Sequence, residues 1–156
     1  MKLIYVLSGF FFLTISTMAA AESDAEFPKG WENWPIHHSG KILGKETAIP
    51  ADLPPIVIET MKTYNWVNDG KGSAYNVRLN PEQKAGNYQD GPTGVLELTD
   101  IKALLVTEHL VGEPQYGAYS YDGKDISDAH PSLNPSACTT CHTGYGDACI
   151  NGVCTK

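Results

Sequence analysis

The chain has 156 residues, which suits one domain, and carries 11 Lys+Arg against 18 Asp+Glu for a net charge of −7. That acidic balance argues against nucleic acid and anionic membrane surfaces and fits a soluble protein that meets neutral or basic partners. A chain of this length buries a core without covalent staples, so four cysteines gathered within residues 138–156 point to local chemistry.

Lys2 is followed by "LIYVLSGFFFLTISTMAAA", uncharged as far as Ala21. One basic residue, an apolar middle and small residues before Glu22 give the pattern of a secretory signal over 1–21. Retention of the run as a membrane anchor is the alternative. Both readings place the protein in the periplasm or otherwise outside the cytoplasm. After signal cleavage the chain would hold 10 basic against 18 acidic residues, a net −8, and no membrane span.

Residues 22–54 are rich in Pro, Gly and polar side chains and read as an irregular arm, with Trp31 and Trp34 laid against the body. Pro54 and Pro55 sit where a helix starts, and Val57, Met61 and Tyr64 fall on one face, which predicts a helix over about 55–65. In "SAYNVRL" Tyr75, Val77 and Leu79 alternate with more polar residues, as in a half-buried strand. "NPEQKAGNYQDGP" suits a short helical turn and then a Gly/Pro-rich turn. "TGVLELT" and "KALLVTEHLV" read as strands. "QYGAYSYDGKDI" adds another, with Tyr119 and Tyr121 on one face and an Asp-Gly turn. The remainder is loop-like apart from a short helix near residue 140. The expected class is α+β: a mainly antiparallel sheet of about four or five strands, one or two helices and a C-terminal cofactor-binding segment. The organisation is a signal at 1–21 and a single domain at 22–156, divided into an arm (22–54), a body (55–137) and a tail (138–156).

Residues 138–142 read "CTTCH". In a C-x-x-C-H motif each thiol can add across a haem vinyl group, and the adjacent histidine is held beneath the iron as its proximal ligand. The expectation is one covalent haem c on Cys138 and Cys141, with His142 on the metal. A redox dithiol and half of a zinc site are the rivals, since both use closely spaced cysteines. The first should open a helix inside a βαβ unit, which this chain lacks. The second would recruit Cys149 and Cys154. Those two, in "CINGVC", have no following histidine and flank an Asn-Gly turn, so a local disulfide is expected.

No methionine follows His142, and Met61 reads as a core position, so a His/Met carrier with its methionine downstream is disfavoured. His37, His38, His109 and His130 remain as distal candidates without supporting spacing, alongside an open distal site. Arg78, the sole arginine, suits a haem propionate or a distal anion or, equally, a surface ion pair.

Attachment at the C-terminus also occurs in helical bundles, but the strand-like middle does not fit one. The chain resembles the cytochrome P-460 family and its relative cytochrome c′-β. The resemblance rests on "FPKGWENWP" at Phe27–Pro35, "YNVRLNPEQKAGNYQDG" at Tyr75–Gly91, "YGAYSYDG" at Tyr116–Gly123 and "CTTCH". It implies a homodimer, an exposed or pocketed iron and, in the best-known members, oxidation of hydroxylamine. The family's lysine cross-link to the macrocycle would fall where this chain has Val95, Leu96, Glu97 and Leu98, with Lys102 nearest. The phenylalanine cap of the c′-β relatives has no counterpart beyond Phe27. Glu97 and Glu108 are expected to face solvent, with a distal acid-base role as the alternative. The expected function is periplasmic one-electron transfer to a neutral or basic redox partner. The alternative is a haem enzyme or gas-binding protein acting on hydroxylamine or nitric oxide at an open iron.

Overall fold

The computed structural model describes residues 22–84, 89–146, 149–150 and 153–154. The expected signal lies outside the described residues. Among them, no helix is long and apolar enough to cross a membrane.

The fold is α+β, built on one five-stranded antiparallel sheet whose strands lie side by side in chain order: β1 (Ile36–Leu43), β2 (Gly72–Leu79), β3 (Gly91–Leu98), β4 (Ala103–Leu110) and β5 (Glu113–Ser120). Between β1 and β2 run helix α1 (Pro55–Tyr64) and a single turn, α2 (Val67–Gly70). After β5 the chain passes through a 3₁₀ turn, Pro131–Leu133, into helix α3 (Pro135–Gly144), and then a two-stranded ribbon, β6 (Cys149–Ile150) and β7 (Val153–Cys154). The helix expected at 55–65 and the four expected strands are present. The arm expected at 22–54 is less irregular than its composition implies, because it contains β1.

β1 was hidden by its own sequence. "IHHSGKIL" has no clean alternation, since this edge strand is exposed over six of its eight residues. It is held to β2 by a register that closes at Leu43 opposite Gly72. Gly72 adopts φ +81°, and a Cβ there would lie 2.1 Å from the Ile42 carbonyl oxygen, so only glycine fits.

Period-two alternation gives the sheet two apolar faces. On one, Val95, Leu104, Val106 and Tyr119 pack under Ala25, Trp31 and Trp34 of the N-terminal arm. Tyr119 hydroxyl donates to the Ala25 carbonyl, and Asp24 and Ala25 amides both donate to Tyr116 oxygen. On the other face Ile42, Leu98, Ala103, Leu105 and Ala118 pack with Val67 and Leu133, joined by Tyr64 and Trp66. Leu98 and Leu104 are fully buried, one on each face, and each such burial stabilises by roughly 1.5–3 kcal/mol. The second face is the one that α1 and α3 approach.

Both helices begin as their sequences dictate. Pro55 opens α1 at a position where a missing N–H costs nothing. For α3, Asn134 caps the start: its Oδ1 accepts from Ser136 N at 2.9 Å, and Pro135 follows it.

Candidate functional site

Between α1, α3 and the second sheet face lies a cavity of about 980 Å³, at the upper end of the range of about 300–1,000 Å³ usual for small-molecule sites. Its floor is Leu96 and Leu105 of the sheet, and one wall is Ile56, Val57 and Met61 of α1. The opposite wall is α3. Cys138, Cys141 and His142 stand at i, i+3 and i+4, one face of a helix, and all three line the cavity. Two free thiols and an imidazole converge on a single space.

The thiols are poor nucleophiles where they stand. Burial pushes Cys138 up to about 11, and burial, with the Glu59 carboxylate beside it, raises Cys141. A redox C-x-x-C needs the reverse, a depressed thiol. Cys149 and Cys154 are bonded to each other. His142, Cys149 and Cys154 have their ligand atoms within 4.8 Å of one another, but the two sulfurs are spent on the disulfide, so a four-ligand zinc site is not assembled. The expected local disulfide is thus present.

His142 is held from two sides. Its ring lies 4.8 Å, centroid to centroid, from Tyr116 on β5, and its Nδ1 lies 3.4 Å from Cys154 Sγ. Tyr64 and Tyr116 hydroxyls are raised well above the usual phenol range, first by burial and then by the nearby Cys138 and Cys141. They stay neutral phenols. Tyr75 is raised by burial as well. The cavity is thus an apolar slot edged with hydroxyls, a composition able to hold a flat apolar macrocycle while offering a few hydrogen bonds to a polar ligand.

Other side chains with lone pairs suited to iron also line it: His37, His38 and Met61. A register irregularity between Ile36 and His38 inserts an extra residue. A bulge of this kind breaks the alternation, and both histidines end on the cavity side. Met61 is buried, as a core position should be, yet it is also part of the wall. His130 is occupied elsewhere: it stacks on Trp66 at 3.9 Å and its Nδ1 accepts from Ser132 N. His109 is buried away from the lining, with its Nδ1 3.9 Å from Asp90.

Three expectations are corrected. Arg78 does not reach the cavity. It lies on the arm-covered face, where Nε donates to Glu97 Oε2 at 2.8 Å and NH1 donates to Trp34 oxygen at 2.9 Å, with Trp31 beneath the guanidinium. It does form an ion pair, but a largely buried one and not the expected surface pair. Glu97 and Glu108 do not face solvent and do not line the cavity. Both are buried under the arm, Glu108 accepting from Glu26 N at 2.6 Å. Lys102 is an exposed turn residue with φ +52°, and among the described cavity-lining residues there is no lysine. Sequence reasoning also passed over Glu59, Tyr64 as a neighbour of the thiols, and Tyr116. The last was legible in principle, since it alternates against Tyr119 and so belongs to the opposite face.

A scan against protein-family models and searches of curated proteins and of solved structures return no match to this chain.

Proposed function

We propose that this chain is an exported monohaem c-type cytochrome that passes single electrons. The observation that carries the reading is the convergence of Cys138, Cys141 and His142 from one face of α3 onto a cavity of about 980 Å³. The cysteines would hold one haem c through two thioethers, and His142 would be the proximal ligand. When bound, the haem supplies the one-electron couple. The chain supplies the rest. Leu96, Leu105, Ile56 and Val57 would exclude water from the macrocycle, and Tyr116 restrains the His142 ring. His37, His38 and Met61 line the same cavity and would be the side chains available as a second iron ligand.

Export is supported by the apolar run at 1–21 and by the disulfide, which suits an oxidising compartment. A redox partner with a neutral or basic surface fits the acidic net charge. The resemblance to the cytochrome P-460 family adds a homodimer to the proposal. The chain departs from the cross-linked members of that family, because neither Lys102 nor any other lysine lines the described cavity wall.

A second reading is favoured by one observation, the presence of the hydroxyl-bearing residues Thr63, Tyr64 and Tyr75 in the cavity lining. They suit a small polar nitrogen ligand, hydroxylamine or nitric oxide, at an open iron. Visible spectra of the protein purified from an exporting, haem-attaching host decide between the two. A low-spin spectrum with both axial positions filled supports electron transfer. A high-spin spectrum that changes on adding nitric oxide supports the second reading. Absence of any haem band overturns both.

A further inference from the structure

Resting on that functional reading, we propose that Cys154 is a positioning residue for His142, with the Cys149–Cys154 disulfide fixing the tautomer and direction of the proximal imidazole. α3 ends with Tyr145 N donating to Cys141 oxygen at 3.1 Å, and Cys149 N donates in turn to Tyr145 oxygen at 3.0 Å. The β6–β7 ribbon then pairs Cys149 with Cys154 and returns Cys154 to the cavity wall. Its Sγ arrives 3.4 Å from His142 Nδ1.

The oxidation state of that sulfur matters. A disulfide sulfur has lone pairs and no hydrogen, so a hydrogen bond at this contact has the ring nitrogen as its donor. A neutral imidazole with its proton on Nδ1 carries its lone pair on Nε2, which is the form a metal-binding histidine takes when its other nitrogen is engaged by a neighbouring acceptor. A free thiol could donate as well as accept, and would permit the opposite tautomer. The bridge closes a loop of sequence separation 5, and so short a loop gives a disulfide its smallest effect on global stability. Its placement against the imidazole is the more consequential property.

The test separates the bond from the staple. Cys149→Ala/Cys154→Ala and Cys149→Ala/Cys154→Ser lack the bridge equally, but serine restores an acceptor at position 154. Acceptance from Nδ1 makes the ring a stronger donor to iron and favours the oxidised metal. The Ala/Ala protein should therefore show a higher midpoint potential than wild type, and the Ala/Ser protein a lower one than Ala/Ala. One shared potential for the two variants would overturn the inference. The haem-free wild-type chain with its disulfide intact gives an independent reading: ¹⁵N shifts should place the His142 proton on Nδ1, and a proton on Nε2 would overturn the inference even if neither variant folds. Failure of the wild-type chain to carry covalent haem would instead bring down the functional reading, and the positioning role with it.

Discussion

Arg78 Nε lies 2.8 Å from Glu97 Oε2, with side-chain exposures of 15% and 8%, on the sheet face opposite the C-x-x-C-H helix. Glu97 also accepts from Asn76 Nδ2 at 2.9 Å and from the Tyr121 hydroxyl at 2.7 Å. The carboxylate is thus satisfied by three neighbours, and the guanidinium locks the arm through Trp34.

Arg78→Leu would leave a buried carboxylate without its cation. Removing one partner of such a pair costs about 3–5 kcal/mol, so the urea midpoint should fall accordingly. Covalent haem content should not change, because Arg78 does not line the cavity.

Acid should act through the same carboxylate. Burial opposes its charge, but the hydrogen bonds from Asn76, Tyr121 and Arg78 and the charge of Arg78 outweigh that, and hold Glu97 below the usual carboxylate range. A depressed folded value means the unfolded chain takes up the proton first as pH falls. The stabilisation is therefore complete above the ordinary carboxylate range and is lost as pH drops through the folded value. Asp125 adds in the same sense: burial opposes its charge, and hydrogen bonds from Ser127 and Ser23 lower it. Thermal midpoints measured from neutral pH to about pH 3 should decline, and Glu97→Gln should flatten the profile.

Glu97 shows where sequence reading runs out. A strand's hydrophobic alternation reveals that it has two faces but not which cover each receives, and a one-residue slip exchanges them. "TGVLELT" and "SAYNVRL" were legible as strands, whereas the burial of Glu97 against Arg78 depends on register and on the arm folding over that face. The cysteines and His142 were legible because their spacing is local to one helix. His37 and His38 stood among four candidate histidines with nothing to single them out, because an exposed edge strand with a bulge leaves no periodic trace.

In the haem-free chain Cys138 should alkylate slowly. With its thiol pushed up to about 11, the thiolate fraction at mildly alkaline pH falls roughly two orders of magnitude below that of a free cysteine. Iodoacetamide labelling followed by mass should show that lag, and unfolding in urea should abolish it.

Gly72→Ala should disrupt the β1–β2 join. A methyl group would strike the Ile42 carbonyl while the backbone is held at φ +81°, and left-handed strain alone costs on the order of 1–3 kcal/mol. Amide exchange should speed up in β1 first, and His37 and His38 should leave the cavity side.

The central claim is that Cys138 and Cys141 hold a haem. The most direct test is the mass of the denatured chain purified from an exporting, haem-attaching host, beside that of Cys138→Ala/Cys141→Ala. The expected result is one haem retained through denaturation by the wild-type chain and none by the variant. A wild-type mass with no haem, or a variant that retains one, would contradict the account.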